Sequence, residues 1–110
     1  MMALRKVMTL DELWSGELVG RIVDGKKIVL ARLGDDVYAY EDRCAHLGLP
    51  LSDGSLDGAV LTCNAHHYQY DVRSGAGVNP ASVCLQAYLV KIEGRDVLVD
   101  ADRPLARKAR

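Results

Sequence analysis

The chain has 110 residues and a formal net charge of −1, and it holds one tryptophan and no phenylalanine. A chain of this length suits one small domain, here with a core of aliphatic residues and tyrosine. The balanced charge gives no support for nucleic-acid binding, and no apolar run approaches the length of a membrane span.

The N-terminal part of the chain predicts short antiparallel strands. Thr9 is placed to cap a helical turn, and Asp24-Gly25 is a strong signal for a two-residue hairpin turn. Alternating apolar and polar residues around these signals predict the strands. In chain order, the predicted elements are a strand at 6–8, a helical turn at 10–14, and strands at 17–23, 26–33 and 37–41.

The remainder predicts two loops among further hairpins. Residues 42–57 contain Gly48, Pro50 and Gly54 without clean alternation, and residues 73–80 are also rich in glycine and proline, so both segments are predicted to be loops. Strands are predicted at 59–62, 68–72, 87–93 and 96–100. The pattern predicts an all-β fold, a small antiparallel β-barrel or sandwich with a metal-binding subdomain of two loops.

A single domain is predicted over residues 1–104, with its metal-binding part at about 42–82. Residues 105–110 carry three basic side chains, and we expect this tail to be flexible. The N-terminal segment is too polar for a signal peptide. We therefore expect a cytoplasmic protein, in which cysteine serves as a metal ligand sooner than as half of a disulfide.

Two short motifs combine cysteine with histidine. Cys44-Ala45-His46 is a CxH pattern and Cys63-Asn64-Ala65-His66 is a CxxH pattern, with sixteen residues between them. A triplet in an irregular loop can aim both side chains in one direction, and residues i and i+3 converge across a tight turn. Two thiolates and two imidazoles form a complete ligand set. The predicted metal ligands are Cys44, His46, Cys63 and His66.

Two kinds of metal centre accept this ligand set. A Rieske-type 2Fe–2S cluster has two cysteines on one iron and two histidines on the other, whereas a structural zinc ion binds all four tetrahedrally. Zinc fingers usually pair like ligands, on a hairpin and a helix, but each loop here mixes both types. The mixed pairing favours the cluster and a one-electron carrier. The alternative is a zinc-stabilised binding module without a redox role.

At these residues the chain resembles the Rieske ferredoxin family, over about residues 5–100. The segment Gly75-Ala76-Gly77-Val78-Asn79-Pro80 is similar to the loop that covers the cluster in that family. The resemblance implies that the two cysteines bind an inner iron and the two histidines bind an outer iron that takes the electron. It also implies a covering role for Gly75, Gly77 and Pro80.

Within the family, the chain resembles the soluble ferredoxins of lower potential. Respiratory and photosynthetic members carry a further cysteine in each motif, and the two form a disulfide, but the matching positions here are Leu49 and Ala65. The chain is similar to the ferredoxin component of toluene-type aromatic monooxygenases. This similarity rests on LDELW at 10–14, GAVLTCNAH at 58–66, GVNP at 77–80, Cys84-Leu85 and Tyr88.

The resemblance implies an electron carrier between two partners. It would accept electrons from an NADH-dependent flavin or iron–sulfur reductase and pass them singly to the diiron hydroxylase of an aromatic-hydrocarbon monooxygenase, with no turnover of its own. We expect a monomer, no nucleic-acid partner and no membrane partner. The alternatives are the ferredoxin of a ring-hydroxylating dioxygenase and the small Rieske-like subunit of a nitrite reductase.

Several residues beside the motifs have two interpretations each. Leu47, Leu49 and Leu51 are predicted to form an apolar rim that excludes water from the cluster or contacts a partner. His67 adjoins a ligand and is expected to be a partly exposed neighbour at the docking face.

Two tyrosines and the third cysteine complete this set. Both tyrosines are candidates for a docking rim or for support of the ligands. Tyr68 either shields the cluster, lies at the partner interface or packs ordinarily. Tyr70 falls where high-potential relatives place a hydroxyl that donates to a ligand sulfur, and its alternative role, which we favour, is a core aromatic. Cys84 has no matching histidine and is expected to be a buried small residue or an inert thiol.

Overall fold

The computed structural model describes residues 4–43, 50–63, 68–79 and 85–104. Two short 3-10 turns lie at Leu10–Glu12 and Leu51–Asp53. The strands of the described part are β1 (Arg5–Thr9), β2 (Leu18–Val23), β3 (Lys26–Leu33), β4 (Asp36–Glu41), β5 (Ser55–Asp57), β6 (Val60–Thr62), β7 (Gln69–Asp71), β8 (Gly77–Asn79), β9 (Ala87–Glu93) and β10 (Asp96–Pro104). The prediction of an all-β fold is therefore confirmed.

Six strands form the larger sheet, in the order β1-β10-β9-β4-β3-β2 with antiparallel neighbours. The edge strands β1 and β2 contact each other, so the sheet nearly closes into a barrel. Alternate side chains of these strands point inward and form the first core. Its most buried aliphatic members include Ile28, Leu30, Val97 and Val99, and Tyr88 adds an aromatic ring.

The β2–β3 hairpin turns at Asp24-Gly25, as predicted. Val23 pairs with Lys26, which leaves two residues in the turn. Both have positive φ, 51° for Asp24 and 81° for Gly25. This backbone belongs to the type I′ turn, whose twist matches that of two antiparallel strands.

The first 3-10 turn follows Thr9, as predicted, but it ends at Glu12 and is shorter than the sequence indicates. Thr9 N donates to Glu12 Oε2 at 2.8 Å, and this hydrogen bond lowers the pKa of the Glu12 carboxyl from its ordinary value. Leu13 is extended and buried in the first core. We attribute the early end of the turn to this burial, which directs Leu13 inward.

Strands β5–β8 form a separate four-stranded antiparallel sheet, which the chain makes between β4 and β9. Side chains of this small sheet, such as Leu61 and Tyr70, pack against Val29 and Ala31 of β3 to form the second core. Because successive residues of a strand point to opposite faces, β3 contributes to both cores.

Two segments that the sequence predicts as loops contain regular structure. Residues 42–57 include the second 3-10 turn and β5, and residues 73–80 include β8. For these residues the loop prediction is wrong. β5 and β8 are edge strands of three residues each, too short to show an alternating pattern, and their glycine neighbours carry turn signals.

Candidate metal centre

The second motif begins where β6 ends. Cys63 N donates to the carbonyl oxygen of Tyr68 at 2.7 Å, just before β7 starts. The motif therefore lies between β6 and β7, the paired strands that correspond to those predicted at 59–62 and 68–72. Cys63 is 1% exposed and packs in the second core. The two histidines of this segment, His66 and His67, lie outside the described residues.

The first motif lies between Asp42 and Ser52, which are joined by two hydrogen bonds. Ser52 N donates to Asp42 Oδ1 at 2.8 Å, and Ser52 Oγ donates to Asp42 Oδ2 at 2.7 Å. Asp42 N donates to the carbonyl oxygen of Lys27 in β3 at 3.0 Å. The two ends of the loop are thus held to each other and to the larger sheet. Outside the described residues lie Cys44, His46, Leu47 and Leu49.

The loop predicted to cover the cluster, here called the covering loop, is held at Gly75, whose φ of +77° favours glycine. Gly75 N donates to the carbonyl oxygen of Asp71 at 2.6 Å, and its own carbonyl oxygen accepts from Leu85 N at 2.8 Å. Gly77 is buried in β8, where it pairs with Tyr70. Gly75 therefore joins both ends of the covering segment. Pro80 and Cys84 lie outside the described residues.

The three loops converge on the second core. Each has one described end residue there: Leu51 at the end of the first loop, Cys63 at the start of the second, and Leu85 at the end of the third. These residues are 0%, 1% and 2% exposed, respectively. The tertiary structure thus brings together one described end of each of the three segments that the sequence assigns to one metal site.

The burial of three side chains near the motifs tests the roles that the sequence suggests for them. Tyr70 is fully buried in the second core, as expected of a core aromatic, so it has no place on a docking rim. Leu51 is also fully buried and lies with Cys63 in the second core, which suits the water-excluding role predicted for it and leaves it no contact with a partner. Tyr68 is half-buried against the second core, which suits both shielding and packing.

The sequence does not indicate the residues that hold the loops in place. Asp42 and Ser52 meet across the first loop, and Tyr40 Oη donates to the carbonyl oxygen of Val72 at 2.6 Å. None of these pairs has a recognisable spacing. Glycine is the available signal: at Gly54 a Cβ would overlap the carbonyl oxygen of Thr62, and at Gly20 it would crowd Ser52.

A cavity of about 330 Å³ lies beside the first loop. Burial raises the pKa of the Tyr88 phenol at its wall, and the nearby Glu41 carboxylate adds to the effect. Charged side chains of both signs distinguish this cavity from the mainly apolar pockets that bind most small-molecule substrates. Its lining residues are Lys26, Lys27, Glu41, Asp42, Arg43 and Tyr88.

The surroundings of Cys63 fit a thiolate that binds a metal cluster. A thiolate among apolar side chains is unfavourable unless a cation balances its charge, and iron supplies that charge. Cys63 is almost fully buried at the start of a loop whose ends are hydrogen-bonded.

Among the residues described, no helix is both long enough and apolar enough to cross a bilayer.

Comparison with known proteins identifies relatives along nearly the whole chain. The family model of the Rieske [2Fe-2S] domain matches residues 3–89. The ferredoxin component of the alkene monooxygenase system of Xanthobacter autotrophicus is 37% identical over 103 residues, which cover 93% of this chain and 84% of that protein. The ferredoxin component of biphenyl 2,3-dioxygenase of Rhodococcus jostii is 38% identical over 103 residues, covering 92% and 95%.

A solved structure shares the fold. It is the complex of reduced oxygenase and oxidized ferredoxin in carbazole 1,9a-dioxygenase. The matching chain is 29% identical with a TM-score of 0.85, and the match covers 96% of this chain and 100% of that one.

These matches decide between the two metal centres that the ligand set allows. The family holds a 2Fe–2S cluster, so this chain holds one Rieske-type cluster and the zinc alternative falls away. Relatives of both monooxygenase and dioxygenase systems are ferredoxin components, so this chain is an electron carrier that serves an oxygenase. The resemblance inferred from the two motifs is confirmed, and the chain belongs to the Rieske [2Fe-2S] domain family.

Proposed function

We propose that this ferredoxin carries single electrons from an NADH-dependent flavin or iron–sulfur reductase to the diiron hydroxylase of an aromatic-hydrocarbon monooxygenase. The resemblance at residues 10–14, 58–66 and 77–80 supports the monooxygenase assignment. The relative at 37% identity, from an alkene monooxygenase system, supports it further. The hydrocarbon itself would be selected by the hydroxylase.

A second candidate acceptor is the oxygenase of a ring-hydroxylating dioxygenase. The relative at 38% identity is the ferredoxin component of a biphenyl dioxygenase. Both candidate acceptors need the same one-electron chemistry from this chain. The difference between them lies in the acceptor surface that the ferredoxin must match. The sequence also allowed a further alternative, the small Rieske-like subunit of a nitrite reductase, which we place behind the two oxygenase systems.

We assign the cluster ligands to Cys44, His46, Cys63 and His66, with the cysteines on the inner iron and the histidines on the outer iron. When bound, the cluster gains and loses one electron, and histidine ligation raises its potential above that of an all-cysteine cluster. The observation that carries this proposal is the convergence of three loop ends, at Leu51, Cys63 and Leu85, on the second core.

The chain's own residues would keep water from the inner side of the site. Cys63 is packed among buried side chains of the small sheet and β3, including Val29 and Leu61. On the covering loop, Val78 is 50% exposed in β8. An exposed apolar side chain beside the ligand loops is suited to a small, short-lived contact with a partner.

The remaining parts of the proposal follow from the carrier role. The protein would turn over no substrate of its own, and it would act as a monomer because a shuttle must leave each partner quickly. The reducing cytoplasm suits its thiolate ligands.

Electron paramagnetic resonance with metal analysis tests the cofactor and its ligands. Dithionite-reduced protein is expected to give a Rieske-type signal with two irons per chain. Cys63→Ser should lose the visible spectrum, whereas the matched control Cys84→Ser should keep it. A Cys63→Ser variant with an unchanged cluster spectrum would contradict the ligand assignment.

Reconstitution with purified partners tests the acceptor. The reduced ferredoxin is mixed in a stopped-flow instrument with a diiron hydroxylase and, separately, with a Rieske-type dioxygenase. Faster oxidation by the hydroxylase, together with product formation that depends on added ferredoxin, is the expected result. Productive transfer to the dioxygenase alone would favour the second candidate.

A further inference from the structure

The carboxylate of Asp42 uses both of its oxygens on Ser52, across the first ligand loop. We propose that Asp42 and Ser52 are positioning residues: their hydrogen bonds form a clip that closes this loop and sets its place relative to the Cys63 loop. This inference deepens the proposed function and rests on its ligand assignment. It concerns how the ligands are held, and it adds no ligand.

The geometry of the clip is specific. Ser52 donates from its backbone N to Asp42 Oδ1 at 2.8 Å and from Oγ to Oδ2 at 2.7 Å. Asp42 is 9% exposed, so these bonds form at a site largely removed from water. Hydrogen bonds to an ionised acceptor are stronger than neutral ones, and a pair of them also fixes orientation. The clip therefore holds both ends of the segment 43–51 in one relative position.

The clip lies directly against the backbone of β2 at Gly20. A Cβ at Gly20 would lie 2.9 Å from Ser52 Oγ, 3.1 Å from Ser52 Cβ and 3.2 Å from Asp42 Oδ2. Glycine is thus the residue that leaves space for the clip. Gly20 pairs with Val29 in the β2–β3 ladder, so the clip lies against a hydrogen-bonded strand of the larger sheet.

The clip is also connected to the second ligand loop. Gly54 N donates to the carbonyl oxygen of Leu51 at 2.9 Å, which closes the 3-10 turn that contains Ser52. Gly54 itself lies so close to the carbonyl oxygen of Thr62 that a Cβ would overlap it. Thr62 precedes Cys63. A short path of packed backbone therefore runs from the clip to a proposed ligand.

The physical consequence is a lower entropy of the first ligand loop. A loop with joined ends has fewer conformations to lose when its side chains bind metal, and it returns to the binding geometry after a transient opening. Without the clip, the loop would open more often and its two ligands would sample a wider range of positions. More frequent opening and a wider range of ligand positions should therefore speed cluster loss more than they lower the stability of the fold.

Four variants of the full-length holoprotein separate the clip from general stability. Asp42→Ala removes both acceptor oxygens. Gly20→Ala keeps Asp42 and Ser52 but places a Cβ against them, which should push them apart. Asp42→Asn is the conservative variant, because its amide keeps an oxygen for Ser52 N and can donate to Ser52 Oγ. Val97→Ala destabilises the first core, away from the clip, and serves as the matched control.

Two readouts are measured: the rate of cluster loss to a chelator, from the visible absorbance, and the line width of the paramagnetic resonance signal. Asp42→Ala is expected to lose the cluster about tenfold faster than wild type, which corresponds to about 1.4 kcal/mol of lost loop closure. Its signal should broaden because the ligands sample several positions. Gly20→Ala should shift both readouts in the same direction, and Asp42→Asn should lie between wild type and Asp42→Ala, because it keeps both hydrogen bonds in their weaker neutral form.

The outcomes distinguish the clip from the ligand assignment. A wild-type Rieske signal with Asp42→Ala and Gly20→Ala both indistinguishable from wild type would overturn the clip and leave the proposed function intact. The clip would also be overturned if Val97→Ala and Asp42→Ala had the same thermal stability and lost the cluster equally fast, with no broadening of the resonance signal in any variant. Wild-type protein without a Rieske signal would reject the ligand assignment itself, and the clip with it.

Discussion

Arg32 of β3 donates three hydrogen bonds from its guanidinium group to backbone carbonyl oxygens. Nη1 donates to Leu10 and to Leu13, each at 2.8 Å, and Nε donates to Gly34 at 2.7 Å. One side chain thus joins the first 3-10 turn to the β3–β4 turn. Arg32→Met keeps much of the aliphatic stem and removes all three donors, so it tests the hydrogen bonds apart from the packing.

The expected loss follows from the burial of the three bonds. The two bonds from Nη1 are partly buried and the bond from Nε is exposed. A net value of about 1 kcal/mol for each partly buried bond, and less for the exposed one, gives about 2–3 kcal/mol. Unfolding entropy of about 2 cal/mol/K per residue converts each 1 kcal/mol into about 4 °C for a domain of this size. Arg32→Met should therefore lower the unfolding midpoint by about 8–12 °C.

Circular dichroism during heating measures the midpoint, and fluorescence of Trp14 reports on the same segment. Trp14 is the only tryptophan and is 73% exposed. Arg21→Met on neighbouring β2 is the control, since Arg21 donates to the carbonyl oxygen of the adjacent Gly20 at 3.0 Å and its Nη2 lies 3.9 Å from Glu12 Oε1. A midpoint for Arg32→Met within about 2 °C of the Arg21→Met midpoint would refute the reasoning, since the difference should be several times larger.

Three further predictions follow from single contacts. Gly54→Ala should lower the unfolding midpoint by about 4–12 °C, because its Cβ would overlap the Thr62 carbonyl oxygen, and an unchanged midpoint would show that β5 moves aside freely. Tyr40→Phe leaves the Val72 carbonyl oxygen without its 2.6 Å donor, so urea unfolding should show a loss of about 1–2 kcal/mol, and no loss would mean that another donor replaces it. Burial raises the pKa of Tyr88 above the ordinary value of 10.0, so the unfolded state releases this proton first and stability should fall as pH rises above 10.0. Unfolding of Tyr88→Phe measured across that range should show a smaller fall, and a slope equal to that of wild type would contradict the assigned cause.

Strong local signals predict their elements well. The predicted bounds of β3 and β9 agree with the structure, and the Asp24-Gly25 turn has the two positive φ angles that its residues favour. Each of these features depends on residues that are neighbours in the chain. Turn chemistry and alternation act at that range, so sequence patterns detect them.

The short edge strands were not predicted, and the sequence left open whether Leu51 faces the core or a partner. Three-residue strands β5 and β8 carry too little pattern to detect, and Leu51 points into the second core although it follows a polar, glycine-bearing loop. Pairing with β6 and β7 makes the two strands, and packing on the small sheet buries the leucine. Such outcomes depend on partners that the local sequence does not specify.

The sequence by itself indicated the chemistry: two cysteines and two histidines in two mixed motifs point to a family and a cofactor, because ligand type is a property of single residues. Tertiary structure alone decided where these segments meet. The joining of Asp42 to Ser52, the close approach of Gly20 to both, and the shared core of Leu51, Cys63 and Leu85 all unite residues that are distant in the chain. Their proximity arises from the packing of two sheets, and the spacing of these residues in the chain does not predict it.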